Sequence, residues 1–152
     1  MQATVSWPAA GLGGKGDEGV AGIVKRTPYS IGYIDARFAK ENRMDVSAIR
    51  NRSGRFVQPN IQSLTAAAKG GTLPNDFRGS IANGADRGAY PIAALTWLLV
   101  PEHIPDHHKR RAVVAFVEWM LARGTADLTA QGFAPLPKEL VAREQAQIGL
   151  IH

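Results

Sequence analysis

The stretch from Gly11 to Val20, GLGGKGDEGV, holds the residues best suited to chemistry. Its glycines have the spacing G-x-G-x-x-G, which in dinucleotide-binding proteins lets the backbone approach a pyrophosphate, and Asp35 follows where such a unit has its ribose-binding acid. The strand predicted at residues 4–7 does not run directly into the glycines, because Pro8 and two alanines intervene, and no second unit of this kind follows. We therefore do not expect a dinucleotide cofactor.

The same glycines form the entry to a predicted helix, where exposed N–H groups and the helix dipole attract anions. Lys15 adds a positive charge, although Gly16 follows it where a P-loop needs serine or threonine. Asp17 and Glu18 oppose an anion and are typical of the first turn of an ordinary helix. The candidate anion contacts are therefore Gly14, Lys15, Gly16 and Asp17, and a purely structural turn stays open as the alternative.

A second polar cluster lies in PEHIPDHHKRR, residues 101–111, which contains His103, His107 and His108. Imidazole and carboxylate groups are ligands for zinc. Pro105, however, interrupts the helix that would bring the first two histidines onto one face, so we expect a surface loop and no metal site. Neither a Ser–His–Asp arrangement nor a pair of carboxylates at catalytic spacing is identifiable, so the sequence does not indicate an enzyme.

The composition is typical of a globular domain with a core: 152 residues, 45% of them apolar and 20% charged. The chain has no cysteine, which excludes disulfides, thiolate metal sites and cysteine nucleophiles. The net charge of +5 favours anionic partners, but the basic residues are spread along the chain rather than gathered in a block. We see no apolar run long enough to cross a bilayer and no signal peptide in residues 1–16.

Periodicity and turn residues predict strands that alternate with helices. Strands are predicted at residues 4–7, 30–34, 46–49, 55–58 and 90–100. Helices are predicted at residues 18–26, 35–42, 59–69, 107–123, 125–131 and 137–146, with Asp17 and Asp106 as N-caps of the first and the fourth. The fourth helix has a stripe at the spacing of residues that face a core: Val113, Phe116, Val117 and Met120. This alternation is typical of an α/β fold.

Five segments carry a resemblance to a known family: VSWPAAGLGGKGDEGVAGIVKRTPYSIGYID at 5–35, GRFVQPNIQSLTAAAKG at 54–70, AYPIAALTWLLVP at 89–101, VVAFVEWMLARG at 113–124 and GFAPLPKELVAREQAQI at 132–148. In this order they resemble the C-terminal half of the phosphate-binding proteins of high-affinity phosphate ABC importers, which are type II periplasmic binding proteins. The resemblance covers nearly the whole chain. It departs from the family at Asp17, usually asparagine there, and at Tyr29-Ser30, usually Gly-Ala.

The resemblance implies a two-lobed α/β clamp, of which this chain would be a part. Residues 1–88 resemble part of the second lobe, and residues 89–152 resemble the strand and the C-terminal helices that return to the first lobe. The expected fold is thus a partial type II periplasmic-binding-protein fold. The family's principal phosphate ligands lie upstream of anything that matches Met1, and its S-G-T run does not occur here. High-affinity phosphate binding is therefore not expected from this chain alone.

By the same resemblance we expect a periplasmic binding protein, without enzymatic activity or cofactor, that presents phosphate or a similar oxyanion to an ABC permease. Half of a clamp would leave apolar faces uncovered, so we expect a homodimer or association with a separate N-terminal half. DNA is not an expected partner on this hypothesis. Two alternatives stay open: a basic module that binds nucleic acid or another polyanion, and a truncated homologue without activity.

Overall fold

The structure of the protein is a computed structural model that describes residues 8–71 and 73–152. These residues form six helices and one hairpin, in the order α1 (Gly16–Arg26), α2 (Ala36–Glu41), β1 (Ile49–Arg50), β2 (Phe56–Val57), α3 (Ile61–Lys69), α4 (His107–Ala122), α5 (Thr125–Ala130) and α6 (Lys138–Ile148). The chain divides into two compact units, Met1–Asp45 and Val46–His152. The strand predicted at residues 4–7 lies outside the described residues, and the lobe boundary expected after residue 88 stays a prediction.

In the first unit, α1 begins where Gly16 adopts a φ of 67°, a conformation that glycine tolerates because it has no Cβ. The N-cap residue is therefore Lys15, without a side-chain cap, and the prediction that Asp17 caps this helix is wrong. Asp17 lies in the first turn, and its Oδ1 instead accepts the backbone N–H of Asp35 at 3.3 Å. This hydrogen bond links the start of α1 to the residue that precedes α2.

Residues 30–34 do not form the predicted strand. They lie against α1, because a Cβ on Gly32 would come within 2.8 Å of the side chains of Val20 and Val24. Among residues 8–71 and 73–152, no strand pairs with this segment, and Ile31 is 86% exposed. A strand needs a hydrogen-bonded neighbour, which a local apolar pattern cannot supply.

The helices are predicted correctly, with small shifts at their ends. Before α2, Oδ1 of Asp35 accepts two N–H groups of the first turn at 2.8 and 3.4 Å. Before α4, the predicted cap Asp106 accepts two N–H groups in the same way, at 2.8 and 3.0 Å. α6 begins one residue after Pro137 and ends slightly beyond its predicted end. Helices depend on local signals of this kind, which explains the agreement.

The second unit begins with an antiparallel hairpin, in which Ile49 pairs with Val57 and Arg50 with Phe56. Both strands are two residues long, shorter than predicted. Residues 51–54 form the turn that joins the two strands, and this turn ends in a glycine with a φ of 83°.

Asn51, the first residue of this turn, joins the hairpin to the rest of the unit through a buried side chain that is 6% exposed. Its Nδ2 donates to the carbonyl oxygens of Arg87 at 2.9 Å and Ala89 at 3.0 Å. Its Oδ1 accepts the backbone N–H groups of Ser53 at 3.0 Å and Arg55 at 3.1 Å. Both polar atoms of the amide are therefore satisfied, as a buried polar side chain requires.

α3 begins with a capping box that connects to the same region. Oδ1 of Asn60 accepts the N–H of Ser63 at 2.9 Å, and Oγ of Ser63 accepts the N–H of Asn60 at 3.0 Å. The carbonyl oxygen of Ser63 also accepts the N–H of Tyr90 at 3.1 Å. The residue after Ala89 is thus tied to the first turn of α3.

The core of the second unit combines four alanines with three larger aliphatic side chains. Its buried members are Ala67, Ala68, Leu73, Ile81, Ala89, Ala93 and Leu140. Arg143 on α6 adds a contact at the edge of this core, because its Nη2 donates to the carbonyl oxygens of Leu73 at 3.1 Å and Pro74 at 2.6 Å. Its guanidinium carbon also lies 4.8 Å from the ring centre of Phe77, in cation–π geometry.

The predicted strand at residues 90–100 is also absent, and no strand of the described chain pairs with this segment. Leu99 is 90% exposed. The predicted core stripe of α4 is likewise wrong at Phe116, which is 53% exposed. The other three members of the stripe are half-buried: Val113, Val117 and Met120. The apolar pattern of these segments predicts burial, but the described residues leave Leu99 and Phe116 exposed.

α4 contacts both α5 and α6, and the last residue of the chain lies beside the loop that precedes α4. The N–H of His152 donates to the carbonyl oxygen of Glu102, and its own carbonyl oxygen accepts the N–H of Ile104, both at 2.8 Å. No helix in the described ranges is long and apolar enough to cross a membrane.

Asn51→Ala should lower the free energy of unfolding by about 2 kcal/mol, because it leaves the buried carbonyl oxygen of Ala89 and three part-buried main-chain groups without this partner. Denaturant titration of the purified chain measures this change. Asn75→Ala is the matched control, since Asn75 is exposed, and should change stability by less than about 0.5 kcal/mol. Equal effects of the two substitutions would contradict the role given to Asn51.

Glu144 on α6 should make stability depend on pH, because burial raises the pKa of its carboxyl group above the ordinary value. An acid with a higher pKa in the folded protein holds its proton more tightly there, so stability falls as the pH rises from the unfolded pKa through the folded one. Glu144→Gln should therefore stabilise the protein near neutral pH, with a gain that vanishes below about pH 4.

Urea denaturation across this pH range tests the prediction. Glu139→Gln is the control on the same helix, because Glu139 is exposed in the first turn, where a negative charge is favourable. It should bring no gain in stability at neutral pH. If the stability of the Glu144→Gln protein equals that of the unmodified protein at every pH, the raised pKa of Glu144 is refuted.

Candidate anion-binding site

The glycine-rich loop before α1 is shaped by close contacts between backbone segments. The N–H of Gly11 donates to the carbonyl oxygen of Pro8 at 2.8 Å and closes a turn. Gly14 then passes over the start of α1 so closely that a Cβ there would lie 2.5 Å from the carbonyl carbon of Gly19 and from the nitrogen of Val20. A side chain at position 14 would therefore displace backbone, so the glycine is required by packing.

The four predicted anion contacts lie together at the first turn of α1. Lys15 and Gly16 are exposed, and Gly14 and Asp17 are half-buried. The first N–H groups of a helix have no partner within it, and the N–H of Gly19 is bonded back to the carbonyl oxygen of Lys15 at 3.2 Å. The N–H groups before it point out of the helix end, where an anion can accept their hydrogen bonds.

Two carboxylates share this helix end with Lys15. Oε2 of Glu18 lies 3.2 Å from the position that a Cβ on Gly16 would take, so the carboxylate folds back over the helix start. The carboxylate of Asp17 is held by the N–H of Asp35. Negative side chains stabilise the positive end of the helix dipole and compete there with an external anion. Glu18 is exposed and can rotate away, whereas Asp17 is tethered.

Asp35, which the dinucleotide pattern would use for a ribose, caps α2 instead. Its Oδ1 accepts the N–H groups of Arg37 and Phe38. The arrangement therefore adds nothing in favour of a dinucleotide site.

The histidine cluster separates into two pairs. The ring centres of His103 and His152 are 5.6 Å apart, as are those of His107 and His108. Asp106 is engaged as the cap of α4. In the part of the chain that the structure describes, no group of three or more His, Asp or Glu side chains could hold a metal ion.

Sequence reasoning missed a cavity beside the core of the second unit. It has a volume of about 410 Å³ and lies between the end of α3 and the start of α6, with Lys69, Leu73, Glu139 and Arg143 among its lining residues. The main-chain partners of Arg143 stand about seventy residues earlier in the chain. No local pattern could have paired them.

Comparison with known proteins identifies the class to which this arrangement belongs. The family model described as a PBP superfamily domain matches residues 2–123. The chain therefore belongs to the PBP superfamily, and this membership implies an α/β periplasmic-binding fold.

Within that class the similar curated proteins are phosphate-binding proteins. The chain is 37% identical over 145 residues to the phosphate-binding protein PstS of Xylella fastidiosa, an alignment that covers 94% of this chain and 40% of that protein. It is 34% identical to PstS of Pasteurella multocida, with 95% and 42% covered, and 34% identical to PstS of Methanocaldococcus jannaschii, with 97% and 41% covered. The resemblance noted from the sequence is confirmed, and the chain spans about two fifths of the length of these relatives.

Gly14→Ala should destabilise the start of α1 by about 1–3 kcal/mol, because the added methyl group overlaps the backbone of the first turn. Hydrogen exchange of the α1 amides and thermal unfolding measure the effect. Gly13→Ala is the matched control, since a Cβ on Gly13 meets no atom within 4 Å, and should leave both nearly unchanged. Equal exchange rates in the two variants would show that the loop does not pack as described.

Proposed function

We propose that the protein acts as a phosphate-binding substrate-binding protein, or as the C-terminal half of one. The observation that supports this most is the alignment of 94–97% of the chain with proteins named for phosphate binding. The chain forms no bond and breaks none in this role; it holds an oxyanion and releases it.

In this proposal the loop from Gly14 to Asp17 is a secondary contact for the anion. N–H groups at the start of α1 donate to phosphate oxygens, and the Lys15 ammonium contributes charge. Glu18 must rotate away, and the fixed carboxylate of Asp17 keeps the contact weak. The principal ligands would come from the part of the phosphate-binding fold that this chain does not span.

The proposal extends to the place of the chain in a transporter. Residues 1–88 would contribute to the second lobe and residues 89–152 to the first, with the ligand held between the lobes. By the family resemblance, the assembled protein would work in the periplasm and deliver phosphate to an ABC permease. A homodimer or a separate N-terminal half would complete the clamp.

The proposed contact predicts weak binding by the chain alone, with a dissociation constant for phosphate of roughly 1 mM. Calorimetry and amide chemical-shift mapping test it, and the largest shifts should fall on the Gly14 and Gly16 amides. Lys15→Ala should weaken binding by about 2- to 5-fold. Lys25→Ala, in the last turn of the same helix, is the control and should leave the affinity unchanged.

Asp17→Asn should strengthen phosphate binding in the same assay, because it removes a negative charge and keeps an oxygen that can accept the N–H of Asp35. A chain whose Gly14 and Gly16 amides do not respond to phosphate would contradict the contact. Equal binding of phosphate and duplex DNA with steep salt dependence would instead indicate a polyanion-binding module.

A further inference from the structure

α4 carries more apolar surface than its neighbours in this chain cover. All but one of residues 112–122 are apolar, and the exception is Glu118. A helix that is hydrophobic on all sides is normally buried, yet none of the residues of α4, all of which the structure describes, is buried.

The exposed apolar residues of α4 lie on one face. α4 contacts α5 and α6, and three of its apolar residues are half-buried: Val113, Val117 and Met120. Beside them on the helix lie four exposed residues at the spacing i, i+3, i+4 and i+7, and we call them the outer stripe: Ala112, Ala115, Phe116 and Trp119.

The outer stripe has the shape of a docking surface for a packed protein element. The rings of Phe116 and Trp119 stack on each other, with centres 6.1 Å apart and planes 28° apart. The two alanines beside them allow another backbone to approach closely. Aromatic residues of this kind, 53% and 47% exposed here, are the side chains that dominate binding energy when an interface covers them.

We infer that the outer stripe is the docking surface for the part of the phosphate-binding fold that this chain does not span, an inference that rests on the proposed function. The family match ends at residue 123 and so includes all of α4, which makes this helix part of the shared domain. The relatives are about two and a half times as long as the region aligned with this chain, which covers 40% of the Xylella fastidiosa protein. The remaining three fifths of such a protein are the partner that we expect to cover the outer stripe.

The charges around α4 disfavour a second copy as the occupant. An antiparallel pair of α4 helices centred on Phe116 and Trp119 would bring Arg111 of each copy close to Arg123 of the other. Like charges placed together oppose association, whereas a chain that differs in sequence can place acidic groups there.

Co-expression of the full chain with the unmatched segment of the Xylella fastidiosa protein, tagged as a separate polypeptide, tests the inference. A one-to-one complex should be recovered in phosphate-free buffer, and Trp fluorescence should shift to shorter wavelength on its formation. Phe116→Ser with Trp119→Ser should weaken the complex by about tenfold or more. Phe56→Ser is the matched control, because Phe56 is 73% exposed on the hairpin, and should leave the complex intact.

Several outcomes would overturn the inference. The first is failure to recover a complex, and the second is a complex that the double substitution does not weaken although the circular dichroism of the chain is unchanged. The third is a homodimer of the chain that the double substitution dissociates, and the fourth is binding of the outer stripe to anionic lipid vesicles. A complex that forms but binds no phosphate would refute the proposed function and leave the docking surface standing. A chain that binds phosphate but never forms the complex would refute the docking surface and leave the proposed function standing.

Discussion

The buried amide of Asn51 holds together segments that lie far apart in the second unit. It bonds the carbonyl oxygens of Arg87 and Ala89 on one side and the hairpin turn on the other. Ala89 is part of the core, and the next residue is bonded to the start of α3. Four of the seven buried core residues are alanines, each of which buries little apolar area. A satisfied polar residue therefore determines where the hairpin, α3 and the core segment meet.

The candidate site in the first unit depends on a different constraint, the absence of a Cβ at two glycines. Gly14 approaches the backbone of α1, and Gly32 approaches its side chains. The contact of Gly14 holds the glycine loop at the start of the helix, where N–H groups and Lys15 are available to an anion. The tethered Asp17 and the folded-back Glu18 limit what the helix end can bind by itself.

The sequence predictions succeeded where the interacting residues are close together along the chain and failed where they are far apart along it. The helices were predicted because their caps and apolar spacing are local, as at Asp106. The anion candidates Gly14, Lys15, Gly16 and Asp17 were found together because they are consecutive, although their binding of phosphate stays a prediction. The strands at residues 30–34 and 90–100 were predicted wrongly because no described strand pairs with these segments. Arg143 could not have been found, because its partners stand about seventy residues earlier.

The sequence by itself determined the helices, the cap at Asp106 and the family, since these depend on residue types read at short range or in order along the chain. Only the tertiary structure decided that Asp17 binds the N–H of Asp35 instead of capping α1, that Asn51 is the buried link, and that Phe116 and Trp119 face outward. The physical reason is that burial and hydrogen-bond partners depend on what other surface is present. An apolar pattern indicates that a residue is suited to burial, but burial itself requires an opposing surface.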